Sequence, residues 1–354
     1  MARGLLLRPR HWVRSTIVSW FRATRPLYWR EALLCLPGMP LLLLGGVLRG
    51  NPVHGAVAAG AAFSVSFGAA RSLRRWRWGV MAAAVLAMTC AAFGGTLAGQ
   101  WFPVMLLVTA AAAAACAALA LFNENRWWVM LQAVIALLVA GYYPGDLEVA
   151  IHRATAVLLG GTVQMIVVIA LARLFPRAAA PLPPNPPAPP PDRWLLVSHM
   201  LRAAASAALS LLIAHALGLA NSYWAPMTAL LVLKPHLHET HLRGTARLSG
   251  TVVGCAAATV YAFLVHNDAT LLLIGLAFTA GFAFAAQKAP YATLTCAITA
   301  TVVLLLSLGH GRVFANAEHR LIATVLGGLM ALLIARVSPH PGTVASAAPD
   351  RIGT

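Results

Sequence analysis

Acidic side chains are scarce in this chain, with 9 Asp and Glu among 354 residues. Charge of either sign makes up 10% of it, against roughly 25% in soluble domains, which excludes an ordinary soluble enzyme. No carboxylate pair lies within an apolar stretch, and there is no nucleophile elbow, zinc signature or glycine-rich nucleotide loop, so neither catalysis nor a cofactor is expected. The five cysteines, Cys35, Cys90, Cys116, Cys255 and Cys296, each stand alone in apolar surroundings without CxxC spacing. They read as small packing residues rather than a disulfide framework or metal site. His236-x-His238-x-x-His241 could tempt a metal reading, but it reads as a solvated loop with no fixed helical face and no cysteine partner, so no metal is expected.

Apolar residues are abundant: 60% of the chain is hydrophobic, arranged in long Ala, Leu and Val runs. A helix crossing a hydrocarbon core of about 30 Å needs roughly 20 apolar residues. Segments near that length start at about 32, 54, 78, 103, 127 and 154, and again near 198, 218, 246, 269, 290 and 319. The chain reads as an all-α polytopic membrane protein with about twelve transmembrane helices. Residues 1–31 form a basic N-terminal arm, within which 10–25 could lie as an amphipathic helix on the inner leaflet. A first six-helix half follows over 32–175, a Pro-rich linker over 176–193, a second half over 194–339 and a tail over 340–354. The arm has no signal-type apolar core, so the first apolar segment is expected to stay as an anchor.

The excess of base over acid, 26 Lys and Arg against 9 acids, has topology as its simplest cause, and no nucleic-acid motif competes. With the N-terminus in the cytoplasm of a bacterial inner membrane, 22 of these cations face inward. The other four, Arg49, Arg153, Arg312 and Arg320, face outward, and both termini are cytoplasmic. The halves share a written signature. His152-Arg153 precedes Leu159-Gly160-Gly161 as His319-Arg320 precedes Leu326-Gly327-Gly328, and each copy runs on to Ala-Arg-x-x-Pro. Six helices per copy make the repeats parallel. Gly250 and Gly254 on the ninth span, like Gly95 and Gly99 on the third, have a spacing that suits close helix packing.

Asn221-Ser222-Tyr223-Trp224-Ala225-Pro226 opens a short apolar run to Lys234-Pro235, and a basic loop leads on to Arg247-Leu248-Ser249-Gly250-Thr251-Val252-Val253-Gly254. This Tyr-Trp-Ala entry, polar-Pro end and Arg-x-x-Gly-Thr-x-x-Gly exit resemble the fusaric acid resistance (FUSC) or aromatic acid exporter family, the integral membrane bound transporter domain. Arg320 to Gly328 resembles that family's final span. The resemblance covers about 195–340 and implies export of aromatic carboxylates.

The residues themselves suggest an organic-anion path. Lys234, Arg243, Arg247 and Lys288 would converge at an inner mouth and draw in an anion. Tyr223 and Trp224 would contact its apolar part or sit at the outer interface as belt residues, and Pro226 would break the lining helix. Arg153 and Arg320 would form an outer gate or pair with Asp146, Glu148 and Glu318. His215, Gln132 and Gln164 are the polar groups expected at membrane depth. The partners expected are a small organic anion and the bilayer, with no nucleic acid; a homo-oligomer or separate periplasmic and outer-membrane efflux components are left open. A passive anion channel and a non-transporting scaffold remain the alternatives.

Overall fold

The computed structural model describes residues 27–72, 76–176, 191–310 and 313–337. The amphipathic helix expected over 10–25 and all but the edges of the Pro-rich linker lie outside these residues. Every regular element among them is helical: α1 (Trp29–Cys35), α2 (Gly38–Leu48), α3 (Pro52–Ser66), α4 (Gly79–Ala98), α5 (Phe102–Phe122), α6 (Glu124–Tyr142), α7 (Leu147–Leu174), α8 (Arg193–Ala216), α9 (Trp224–Val232), α10 (Leu237–Leu264), α11 (Ala269–Ala285), α12 (Tyr291–His310) and α13 (Val313–Val337). Among the described residues eight segments are long and apolar enough to cross a membrane, α1 and α2 counting together, where the apolar runs of the sequence suggest about twelve. The chain is a multi-pass helical membrane protein.

The first span is not one straight helix, because Pro37 separates α1 from α2. Several starts also fall earlier than the apolar runs suggest, α7 at Leu147 and α10 at Leu237 among them. Polar first turns such as Leu147-Glu148 carry no hydropathy signal. A cap fixes the start instead: the Asp146 carboxylate accepts the Val149 amide at 3.0 Å.

Helix ends are equally well defined. At the end of α8, Gly218 adopts φ 62°, and the Leu219 amide reaches back to the Ala214 carbonyl at 3.0 Å. This is a Schellman stop, for which a residue without Cβ is suited. Gly50 at φ 69° ends α2 in the same manner, with Asn51 N–H donating to Gly46 at 2.8 Å.

Packing partners set the layout. In the first half α4 lies against α6 and α7, α3 against α7, α2 against α3, and α5 against α6. In the second half α10 lies against α12 and α13, α9 against α13, α8 against α9, and α11 against α12. The halves meet where α5 packs on α8 and α1 on α11. Near the second contact Phe63 of α3 and Phe67, which caps its end, close on Phe284 of α11, with centroids 5.3 and 5.1 Å away. Buried residues here are chiefly Ala and Val, with a few Met, Leu and Phe, while Leu107, Leu201 and Leu264 face outward.

Candidate anion site

The nine residues of α9 extend about 13 Å, less than half of a hydrocarbon core. The interruption does not come from Pro226, as the sequence suggests. Pro226 is the third residue of α9, where a missing N–H leaves no helical bond unmade. The turn through Asn221, with φ 54°, precedes the helix, and Leu233 leaves it in extended conformation. Pro226 is buried within α9, so its role is packing and not helix breaking.

Beyond α9 the expected basic loop is short. The Thr240 hydroxyl takes the Lys234 amide at 3.0 Å and donates toward the His236 carbonyl at 3.0 Å, and α10 is already under way at Leu237. His238 and His241 are therefore exposed helical residues and not a loop. Arg243 and Arg247 also belong to α10, in register with Gly250 and Gly254 on the face that meets α12. Hydropathy hides this because the first three turns of α10 are largely polar.

On that face Arg243 stacks its guanidinium 3.5 Å from the Tyr291 ring centroid. Arg247, only 4% exposed, adjoins the Tyr291 hydroxyl, and Thr295 lies beside it. Among the described residues Arg243 Nε, Arg247 Nε and the Thr299 hydroxyl find no hydrogen-bond partner, and the Tyr291 hydroxyl has only its contacts with Arg247 and Thr295. Arg247 lies about 15 Å along α10 from its start, well inside the bundle.

Lys234, between α9 and α10, is half-buried, with its ammonium 5.6 Å from the Trp127 ring contributed by the first half. Burial, and next the neighbouring Arg243, hold its pKa below the ordinary value of 10.5. His199 and Arg202 on α8 complete this end. Both are buried, and Arg202 donates to the Pro235 carbonyl at 3.1 Å. Neither was singled out in the sequence, although a period count exposes them: His199, Arg202, Ser206 and Ser210 form one polar stripe on an otherwise apolar helix. Lys288 does not join the group. It is exposed and stands 4.4 Å over Tyr28, near Glu31 of α1.

At the other end of α9, Tyr223 and Trp224 are 3% and 8% exposed, which rules out the belt reading. The Arg320 guanidinium from α13 lies 3.7 Å from the Trp224 ring centroid, and Arg320 is itself 2% exposed. Tyr142 of α6 closes the aromatic wall, 5.3 Å from Tyr223, and its hydroxyl accepts the Asn221 amide at 2.9 Å. The carboxylate pairing suggested for Arg153 and Arg320 is absent. Asp146 caps α7, and Glu148 faces His152 at 3.6 Å. Arg153 instead donates to Thr96 Oγ1 at 2.8 Å and to the carbonyls of Ala140 and Tyr143. Neither Arg247 nor Arg320 has a carboxylate within 4 Å among the described residues. Desolvating a cation costs several kcal/mol, and a desolvated cation–π contact returns only about 2 kcal/mol. The charges at Arg247 and Arg320 also repel each other.

The other groups expected at depth divide. His215 is exposed at the end of α8, stacked 3.9 Å from Phe102, whereas Gln164 is buried and donates to the Cys35 carbonyl at 2.8 Å. Gln132 is buried on α6.

The glycines hold helices at backbone distance. A Cβ at Gly250 or Gly254 would come within 2.4 or 2.5 Å of the Ala292 or Cys296 carbonyl oxygen on α12. A Cβ at Gly95 or Gly99 would come within 2.5 or 2.2 Å of the Leu137 or Gly141 carbonyl oxygen on α6. A Cβ at Gly160 or Gly327 would come within 2.2 Å of the Ala58 or Ala225 carbonyl oxygen, and one at Gly161 would meet Val85. Gly328 differs, since a Cβ there would meet no atom within 4 Å among the described residues.

Residues 208–334 match the family model described as fusaric acid resistance protein-like. That segment includes every site residue from Tyr223 to Arg320. An uncharacterised protein, ORF2, of Neisseria gonorrhoeae is 31% identical over 133 residues, 38% of this chain and 32% of that protein. The chain thus spans about a third of the length of the curated relative it matches. No solved structure gives a significant match.

Proposed function

We propose that this chain, fusaric acid resistance protein-like over 208–334, is a bacterial inner-membrane transporter that moves small organic anions outward, aromatic carboxylates first among them. One observation carries the reading: basic groups run from Lys234 through Arg243 and Arg247 beside the hydroxyls of Tyr291, Thr295 and Thr299, and among the described residues no carboxylate lies within 4 Å of Arg247. A buried cation so placed is poised to receive an anion. Trp127, Tyr142, Tyr223 and Trp224 offer aromatic faces beside the cations, which suits a ring-bearing substrate.

The two halves are parallel six-helix repeats in this reading. The matching helix pairings and the matched contacts of Gly95 and Gly99 with Gly250 and Gly254, and of Gly160 with Gly327, support it. Short α9 and its fifteen-residue counterpart α3 stand at corresponding places, as interrupted helices do around midplane sites. The 22 to 4 division of Lys and Arg supports cytoplasmic termini. Lys234 and Arg243 then recruit the anion from the cytoplasm and Arg247 takes it inward.

Efflux of a labelled panel of benzoate, hydroxybenzoates and cinnamate from preloaded cells tests this, at matched membrane levels of wild type, Lys234→Ala and Arg247→Ala. Faster efflux than empty vector, lost in both variants and abolished by an uncoupler, is the expected outcome. Efflux insensitive to the uncoupler would make the protein a channel, and no efflux of any member would end the aromatic-acid reading.

A further inference from the structure

Arg153 and Arg320 occupy the same place in the written repeat but live in opposite environments. Arg153 is half-buried, and its Nη1 is spent on Thr96 and two backbone carbonyls, tying α7 to α4 and α6. Arg320 is 98% withdrawn from solvent, rests on Trp224, and leaves Nε and Nη1 without a partner among the described residues. Its surroundings increase the demand for a negative charge: Arg247 repels it, and Tyr223, Tyr291 and Cys255 nearby are normally neutral. The first amides of α9 offer no substitute, since Trp224 N–H and Ala225 N–H already donate to Asn221 and Ser222.

We infer that Arg320, seated on Trp224 and assisted by Arg247, is the buried binding site for the carboxylate of an organic anion, and that Arg153 is its structural counterpart in the first half. This deepens the transport reading, on which it rests for the ligand class. Trp224 holds the guanidinium in a fixed plane, so Nε and Nη1 are preset to donate when the carboxylate arrives. Arg320 is thereby a substrate-binding residue and not a gate. Stability and binding should separate at this position. A buried cation kept without a protein counter-charge is less stable than an apolar group of the same size, whereas a hydrogen-bonded strut is not.

The test compares full-length wild type, Arg320→Met and Arg153→Met in detergent, by thermal unfolding with and without millimolar benzoate, cinnamate or succinate. Wild type should melt about 2 °C or more higher with at least one of these carboxylates. Arg320→Met should melt no lower than wild type without ligand and lose that response. Arg153→Met should melt lower but keep it. Wild type that responds to no carboxylate, or Arg320→Met that melts as low as Arg153→Met or still responds, would overturn the inference. Efflux measured on the same variants separates the two readings. Export by Arg320→Met cells at the wild-type rate would remove the Arg320 site and leave transport standing, while anion-dependent melting without export in wild type would do the reverse.

Discussion

The two halves of the bundle use the same small-residue contacts to hold helices together, yet differ in what those helices carry. Gly95 and Gly99 press α4 onto α6 as Gly250 and Gly254 press α10 onto α12. On the register those contacts define, Arg247, Tyr291 and Thr295 of the second half correspond to Ala92, Ala136 and Ala140 of the first. Trp224 likewise corresponds to Val57 through the Gly160 and Gly327 contacts. In lipid, association depends on close packing and not on water exclusion, so glycine alone can preserve a helix pair while the remaining positions change. One half then reads as a scaffold in which Arg153 is satisfied and Thr109 Oγ1 and Gln164 Oε1 are left over, and the other concentrates unsatisfied cations and hydroxyls. The family match falls on that second half.

The shared packing breaks first. Gly160→Val and Gly327→Val each drive a side chain into a carbonyl oxygen, and each should cost about 3 kcal/mol and abolish monodisperse protein in size-exclusion chromatography. Tolerance of either would show that the two contacts are not equivalent. Moving the charge should cost about as much: Ala92→Arg places a cation among apolar neighbours, and its yield of folded protein should fall well below that of Arg247→Met. Removing the strut in Arg153→Met should cost about 3 kcal/mol, read by thermal unfolding with no anion present.

The smallest effect concerns pH at Lys234. Because its pKa is held below 10.5, the unfolded chain keeps this proton to higher pH than the folded chain. The group therefore detracts from stability at neutral pH, and that cost is relieved as pH rises through the folded value toward 10.5. Anion capture should run the other way and weaken over the same alkaline window as the ammonium is lost. Lys234→Arg should keep efflux over that window, because a guanidinium stays charged, and equal alkaline loss in both proteins would remove Lys234 from the capture step.

Much of the layout is legible from apolar run length, because a bilayer leaves the backbone few choices but helix. The start of α10 is not, since His236 to Arg247 has the composition of a loop and becomes helical through the Thr240 clamp and packing against α12. Nor is burial of Trp224: an aromatic beside a turn has the same sequence whether it faces the interface or lies beneath Arg320. The pairing expected for Arg153 failed for a related reason. Carboxylates nearby in sequence were already used as a cap and as a partner for His152, and backbone carbonyls took their place. His199 and Arg202 were readable from helical period but were masked by the general basic bias of that end.

Labelled benzoate efflux from cells carrying wild type, Arg247→Met or Arg153→Met, normalised to folded protein in the membrane, tests the division between the halves most directly. The account predicts that Arg247→Met falls to the empty-vector rate while each folded Arg153→Met molecule exports as wild type does. Equal loss in both variants, or undiminished efflux in Arg247→Met, would contradict it.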